Sequence, residues 1–426
     1  MNQFWKNMGM QGNIIYLLRW GFISVLIGIV TGLAGTAFGH AVAWATGTFS
    51  AHPWLLFLLP AAGLLILWVY HVFGEDNNRG TNMVLESIYA ENHMRLTMTP
   101  TVFLGSVLTH LCGGSAGREG AGLQMGGSLG TFMGKILRLD EKDMNIAVMC
   151  GMSGAFAALF GTPVAAAIFS MEVISVGVIY YAALVPCIFS AFTAAGLAQA
   201  LGLPPTRFAT VSVPDFDVRL AFMMVLLGLL ASGVAALFCI VLGGTSALYK
   251  KFIEKPWVRV LAGGALIVVM TLLSGGTRYN NSGANLIAAA LGGHVYWYDF
   301  LLKILFTAVT LEAGYKGGEI VPSFAIGACF GCLFGQILGL QAELCAACGM
   351  LAIFVGVTNA PISTLIIGLE MFGYTAMPCF AIVIAVSFTL SGYYSLYSSQ
   401  KAVYSKTKTE YVNMAMHTNM KMHPFE

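Results

Sequence analysis

Long apolar segments separated by short polar breaks restrict this chain to a membrane-spanning fold. The first segment runs from Ile23 to Phe38, and others lie between breaks near residues 74–80, 138–143, 203–217 and 250–259. Charged residues make up 9% of the chain, whereas a soluble domain has about 25%. A full span needs about 20 apolar residues, so there is room for roughly fourteen to eighteen helices, some of them short. We therefore predict an all-α polytopic membrane protein.

Basic residues cluster in some of the polar breaks. The clusters lie at the N-terminus, at Lys135, Arg138 and Lys142, at Lys250, Lys251, Lys255 and Arg259, and at Lys401, Lys406 and Lys408. If these breaks share one side of the membrane, the positive-inside rule makes it the cytoplasm, with both termini there. We interpret the first apolar run as a retained helix rather than a cleaved signal. The net charge of only +2 argues against nucleic acid as a partner.

One polar break carries an ionised pair inside a run of glycines. Residues 113–127 read GGSAGREGAGLQMGG, so Arg118 and Glu119 lie between apolar segments. An ionised group at membrane depth is costly and marks a functional site. A helix that begins near Gly120 would direct its free N–H groups and its positive dipole end toward this position. We expect either an anion or the Glu119 carboxylate itself to occupy it.

Parts of the sequence recur in the second half of the chain. The matched pairs are Gly117 and Gly317, Glu119 and Glu319, Gly127 and Gly327, Gly151 and Gly349, Met152 and Met350, Phe156 and Phe354, Pro163 and Pro361, and Glu172 and Glu370. We predict a first repeat half over residues 1–204, a connecting loop over 205–217, a second half over 218–410 and a short cytoplasmic tail over 411–426. Repeats with broken helices at corresponding positions indicate a substrate site at their interface.

Glu119 and Glu319 are therefore the first candidates for function. Each lies at the start of a helix in a glycine-rich break, and an inverted repeat would bring the two helix N-termini face to face. The alternative is that each carboxylate only caps its own helix. Their apolar flanks favour function, because a carboxylate without a role is costly inside a membrane. Glu172 and Glu370 lie near helix ends, which suggests a structural role, and Glu312 lies close to the second motif.

The motifs resemble those of the CLC family of chloride channels and proton-coupled anion antiporters. Residues 114–127 are similar to the family's glutamate signature, and residues 317–322 to its second anion-binding segment. Leu396-Tyr397-Ser398 is similar to the last helix, whose tyrosine hydroxyl faces the central anion. The resemblance implies a CLC-type inverted repeat with many short, broken helices. It also implies a homodimer with one transport pathway in each subunit.

Departures from the family pattern resemble its bacterial fluoride/proton antiporter branch. Glu319 stands where most members have an apolar residue, Ile320 replaces a phenylalanine, and Ala121 replaces a proline. The family's chloride-binding serine motif corresponds to residues 80–84, which read Gly-Thr-Asn-Met-Val. The register there is open, so the serine's role falls to Thr81, Asn82 or Met83. The internal proton-transfer glutamate of the chloride/proton exchangers aligns with Val173.

Two carboxyl groups suit fluoride, a small and strongly hydrated anion that accepts hydrogen bonds readily. A protonated carboxylic acid is a strong donor, and two carboxyls near one anion disfavour joint ionisation, so a proton accompanies the anion. We expect Glu119 to compete with the anion and to swing away when protonated, while Glu319 holds a second proton. The resemblance adds Gly117, Arg118, Gly120, Ala121, Gly318, Ile320, Val321 and Tyr397 as anion-binding candidates. Arg118 alternatively fixes its loop, and Lys316 either attracts the anion or snorkels.

We expect no cofactor, metal or enzymatic activity. Cys329-x-x-Cys332 and Cys345-x-x-Cys348 have the spacing of a zinc site, but the first pair lies in an apolar, glycine-dotted helix, which favours core packing. The eight histidines show no pairing typical of a metal site, so we interpret them as interface or loop residues. No nucleotide-binding domain is expected after Glu426.

The sequence thus predicts a proton-coupled antiporter that exports fluoride from the cytoplasm in exchange for protons. One rival is a chloride/proton antiporter with unusual motifs, against which the missing serine and Glu319 argue. A second is a passive CLC-type anion channel that keeps Glu119 as a gate. A third is a structural or regulatory membrane protein with a degenerate pore, which two retained carboxylates disfavour.

Overall fold

The structure is a computed structural model that describes residues 10–89, 94–208, 213 and 215–416. These residues form sixteen α-helices and one small sheet, so the predicted all-α membrane fold is confirmed. Among the described residues, seven helical segments are long and apolar enough to cross a membrane. They are Gly12–Ala51, Pro53–Val72, Glu141–Phe160, Tyr181–Ala200, Val218–Phe252, Pro256–Leu273 and Ile320–Leu338.

The first part of the chain contains eight α-helices. They are α1 (Met10–Ala51), α2 (Leu59–Val72), α3 (Thr81–Tyr89), α4 (Met98–Leu111), α5 (Glu119–Ile136), α6 (Glu141–Phe160), α7 (Pro163–Glu172) and α8 (Leu184–Ala200). Short 3-10 helices span Pro53–Leu58 and Tyr181–Ala183, and strand β1 spans Ser175–Val176. Helix α6 shows how the ends are set: the Asp140 side chain accepts from the Asp143 N–H at its start, and Gly161 takes a positive φ at its end.

The second part contains eight more helices. They are α9 (Val218–Phe252), α10 (Pro256–Leu273), α11 (Ala284–Leu291), α12 (Asp299–Ala313), α13 (Ile320–Leu338), α14 (Ala342–Thr358), α15 (Pro361–Phe372) and α16 (Met377–Leu390). Strands β2 (Lys401–Tyr404) and β3 (Tyr411–Ala415) follow. Strand β2 pairs in parallel with β1 and antiparallel with β3. Part of the predicted connecting loop (209–212 and 214) and residues 417–426 of the predicted tail lie outside the described residues.

Gly126 and Gly327 pack the corresponding helices of the two halves in the same way, whereas Gly127, which the sequence matched to Gly327, contacts the side chains of Met94 and Val84 instead. A Cβ added to Gly126 would lie 2.3 Å from the Gly151 carbonyl oxygen, so α5 and α6 touch backbone to backbone. A Cβ added to Gly327 would lie 2.4 Å from the Gly349 carbonyl oxygen, and α13 meets α14 in the same manner. Only glycine allows such an approach. The predicted repeat is therefore present in the packing, but the first block of the sequence match is wrong by one residue, because Gly126 corresponds to Gly327.

The two halves also exchange helix caps. Glu172, at the end of α7, accepts hydrogen bonds from two backbone N–H groups in the first turn of α15, at 3.0 and 2.8 Å. Glu370, on α15, accepts from two N–H groups in the first turn of α7, at 3.2 and 2.9 Å. Both helices start with proline at N1. Each carboxylate thus supplies acceptors to a helix start that is buried in protein, which is the structural role suggested by the sequence.

Candidate functional site

Two glycine-rich loops meet where α5 and α13 begin. The Gly117 N–H donates to the Gly318 carbonyl at 2.6 Å, and the Gly318 N–H donates back to Gly117 at 2.7 Å. A Cβ on Gly318 would lie 2.5 Å from the Gly120 nitrogen, so this approach requires glycine. The N-termini of two long helices consequently converge on one position, where their free N–H groups and dipoles favour an anion.

Glu119 lies beside this position and lines a cavity of about 310 Å³. We call it the apolar cavity, because most of its lining is apolar: Val42, Ala43, Phe160, Phe208, Ala284, Ile287, Val321, Phe324 and Met371. The Glu119 carboxylate accepts from the backbone N–H and the Nε–H of Arg118, both at 3.1 Å. The Arg118 Nη2 also donates to the Leu159 carbonyl at 3.1 Å. Arg118 therefore holds both Glu119 and the loop in place.

Glu319 lines a different cavity, of about 500 Å³. We call it the cationic cavity, because its lining includes Arg79, Lys250, Arg259 and Lys316, along with the acids Glu312 and Glu319. The Lys316 Nζ lies 4.4 Å from the centre of the Tyr70 ring. The two candidate carboxylates thus open onto separate cavities.

Two buried hydroxyl groups near Glu319 have no hydrogen-bond partner: the Thr81 Oγ1 and the Tyr397 OH. Thr81 is 4% exposed and Tyr397 is 0% exposed. A Cβ added to Gly120 would lie 3.3 Å from the Thr81 Oγ1 and 3.4 Å from the Glu319 Oε2, so these groups surround the start of α5. An unsatisfied buried hydroxyl costs about 1–3 kcal/mol, and an anion at this position would satisfy such donors.

A family model described as "Voltage gated chloride channel" matches residues 62–392. The chain belongs to this family. In the CLC family, a "Chloride/fluoride channel protein" of Pseudomonas syringae pv. tomato is 33% identical over 398 residues, covering 92% of this chain and 88% of that protein. An "H(+)/Cl(-) exchange transporter" of Cronobacter sakazakii is 27% identical over 378 residues, covering 82% and 81%.

Solved structures of CLC proteins share the fold. A structure described as a CLC-type fluoride/proton antiporter is 33% identical, with a TM-score of 0.88 over 91% of this chain and 98% of the other. A slow cyanobacterial Cl⁻/H⁺ antiporter is 17% identical, with a TM-score of 0.75 over 88% and 94%. The similarity to the cyanobacterial antiporter concerns the fold alone.

The three candidates for the CLC serine's role lie in different surroundings. The Thr81 hydroxyl is unpartnered, as described above. The Asn82 Oδ1 accepts from the Ser399 N–H at 2.9 Å, although Asn82 also lines the cationic cavity. Met83 lines another pocket, with Arg95, and does not line the cationic cavity. Of the three, Thr81 alone offers an uncommitted buried donor to the anion.

The remaining candidates lie in the first turns of the two helices. Gly120 and Ala121 are buried at the start of α5, and Ile320 and Val321 at the start of α13. Val321 lines the apolar cavity. The four cysteines of the two pairs are buried, unpaired thiols in α13 and α14. In the part of the chain that the structure describes, no group of three or more His, Cys, Asp and Glu residues could hold a metal ion.

Two buried titratable residues near the site were missed by the sequence analysis. Lys303 is 0% exposed, and its Nζ donates to the Ser115 hydroxyl at 2.8 Å and to the Asn281 carbonyl at 2.7 Å. It therefore ties the loop before α5 to the loop before α11. A lone lysine inside the apolar run 300–309 was the signal. His110, in α4, is 1% exposed, so the interpretation of all histidines as interface or loop residues is wrong for it.

Proposed function

We propose that this CLC protein is an antiporter that exports fluoride from the cytoplasm in exchange for protons. Ionised Glu119 competes with the anion for the N-termini of α5 and α13. Once protonated, Glu119 gives up that position, and fluoride passes between the two cavities. Glu319 carries a proton on the side of the cationic cavity and donates a hydrogen bond to fluoride.

One observation carries this proposal: two carboxylates beside the paired loops, the buried Glu119 and the partly buried Glu319, open onto different cavities. Glu119 lines the apolar cavity and Glu319 the cationic cavity. Both lie close to the paired loops, since a Cβ added to Gly117 would lie 3.3 Å from the Glu119 Oε2 and one added to Gly120 would lie 3.4 Å from the Glu319 Oε2. A proton that crosses the protein needs an acceptor on each side, and a passive channel needs none on the second side. The arrangement therefore supports proton coupling.

The choice of fluoride rests on the donors around the position. The Thr81 and Tyr397 hydroxyls are buried without partners, and a protonated Glu319 would add a third donor. Strong donors replace the hydration of a small anion better than a larger, softer cage does. The 33% identical relatives support the same choice, since one is named a chloride/fluoride channel protein and the other a fluoride/proton antiporter. We assign the CLC serine's role to Thr81.

We further propose how the protein is oriented in the membrane and how its subunits assemble. The cationic cavity faces the cytoplasm, because Lys250 and Arg259 line it and belong to a basic break that the positive-inside rule assigns to that side. The apolar cavity then faces the outside, and both termini are cytoplasmic. The working unit is a homodimer, each subunit with repeat halves 1–204 and 218–410. Its activity is transport, and no enzymatic reaction is proposed.

Flux measurements in liposomes test the proposal. The purified protein is reconstituted in vesicles loaded with fluoride or chloride, and anion efflux is recorded together with internal pH. We expect fluoride efflux to exceed chloride efflux and to be accompanied by proton uptake into the vesicles. Chloride efflux as fast as fluoride efflux would support the chloride/proton antiporter instead. Fluoride efflux without proton movement would support the channel.

A further inference from the structure

The apolar cavity contains a second proton-binding side chain besides Glu119. Among the described residues that line it, the ionisable ones are His110, Arg118 and Glu119. Arg118 stays protonated, because an arginine is not deprotonated in proteins. His110 is therefore the lining residue, other than Glu119, that can take up and release a proton.

The hydrogen bond of His110 determines which nitrogen exchanges that proton. The Nδ1 lies 2.7 Å from the Ser106 carbonyl oxygen, and a carbonyl can only accept. The Nδ1 therefore carries a proton in both states of the ring. The Nε2 is then an acceptor when the ring is neutral and a donor when it is charged. This nitrogen is buried and has no hydrogen-bond partner.

Burial is the largest effect on the ring of His110 and opposes its protonation, and the cations Arg118 and Lys303 oppose it as well. In the other direction, His110 lies in the last turn of α4, where the negative dipole end favours an imidazolium, and the Ala116 backbone also favours it. Ionised Glu119 shares the cavity wall and adds attraction, which disappears when Glu119 becomes protonated. Residues of α1 that line the cavity, such as Thr46, carry no charge.

The cavity offers little other support for proton delivery. Its lining is mostly apolar, and both Glu119 oxygens are already engaged by Arg118. A bound water needs two to four polar partners, and besides the charged residues and His110 the described lining offers the hydroxyls of Thr46, Thr206 and Ser282. A proton-binding side chain in the wall of the apolar cavity would deliver protons to Glu119.

We propose that the His110 Nε2 is the proton relay of the apolar cavity. A hydronium ion that enters the cavity loses one O–H bond to form the Nε2–H bond and leaves as water, and the ring then passes this proton to the Glu119 carboxylate, directly or through one water. In the second step the Nε2–H bond breaks, a Glu119 O–H bond forms, and the ring returns to its neutral Nδ1–H form. This inference rests on the proposed function, because it assigns the path by which protons reach the gating carboxylate.

The pH dependence of transport in His110 variants tests the relay. His110→Asn keeps a donor near the Nδ1 position and lacks the Nε2, and His110→Gln places a neutral amide that cannot relay a proton. Fluoride efflux and proton uptake are measured in vesicles with equal pH on both sides, from pH 5 to pH 8, so that the direction of insertion does not matter. The matched control is His40→Gln on α1, an exposed histidine whose Nε2 contacts the Leu201 carbonyl.

We expect both His110 variants to transport at least about 100-fold more slowly than the wild type at pH 8, because a positioned acid–base group typically contributes about 10²- to 10⁴-fold. The deficit should shrink toward pH 5, where hydronium protonates Glu119 without help, and the control should follow the wild type throughout. Equal rates at pH 8, or a deficit of the same size at every pH, would overturn the relay. If the wild type itself moves fluoride without protons, the proposed function fails, whatever His110 does.

Discussion

Replacing Thr81 by valine should change fluoride binding and stability in opposite directions. Valine keeps the branched shape of threonine and removes the hydroxyl, which is buried and has no protein partner. A hydrogen bond to a charged group contributes about 1.5–3 kcal/mol. Its loss should weaken fluoride binding about 10- to 150-fold. Without fluoride, the same change removes an unsatisfied group and should stabilise the protein by about 1–3 kcal/mol.

Two measurements on the purified protein check the predicted loss of fluoride affinity and the predicted gain in stability. Isothermal titration calorimetry gives the fluoride dissociation constant, and thermal unfolding in fluoride-free buffer gives the change in stability. Thr131→Val in α5 is the matched control, because the Thr131 hydroxyl is equally buried but donates to the Gly127 carbonyl at 3.0 Å. The free energy of unfolding of the Thr131→Val control should fall by about 0.5–1.5 kcal/mol, and its fluoride affinity should equal that of the wild type. Unchanged fluoride affinity in Thr81→Val, or lower stability without fluoride, would refute the reasoning.

Three further predictions concern the gate, the helix packing and the exchanged caps. Glu119→Gln should abolish proton uptake during fluoride efflux, because an amide keeps the shape but takes up no proton; intact coupling would remove Glu119 from the gate. Gly349→Ala should destabilise the protein by about 1–3 kcal/mol through overpacking of α13 against α14, while Gly233→Ala, which meets no atom within 4 Å, should not. Glu172→Gln and Glu370→Gln should each cost about 0.3–1 kcal/mol of unfolding free energy, and clearly unequal losses would contradict the symmetric capping.

The fold and the two carboxylates were predictable because their signals are local. Apolar segments have to be helical in a membrane, where every backbone group needs an internal partner. The glycines around Glu119 and Glu319 indicated helix starts in tight loops, and these loops do pair through Gly117 and Gly318. Glu172 and Glu370 were recognised as structural from their positions near helix ends, although their actual partners were not apparent.

The hydroxyl donors near the anion position and the buried His110 were less predictable, because their surroundings are built from distant parts of the chain. Thr81, Asn82 and Met83 are adjacent in sequence, and only the structure shows that the Asn82 Oδ1 accepts from the Ser399 N–H while the Thr81 hydroxyl is buried without a partner. His110 resembled any other histidine until its Nδ1 was found on the Ser106 carbonyl and its Nε2 without a partner.

The sequence by itself determined that this protein is a helical membrane protein of two related halves, with a carboxylate at the start of one helix in each half. The physical reason is that apolar length, glycine spacing and the cost of a buried charge depend on neighbouring residues. The tertiary structure alone decided that Glu119 and Glu319 open onto separate cavities and that the Thr81 and Tyr397 hydroxyls remain unpartnered. Those facts depend on which side chains from distant segments come within hydrogen-bond distance, and local pattern does not encode that distance.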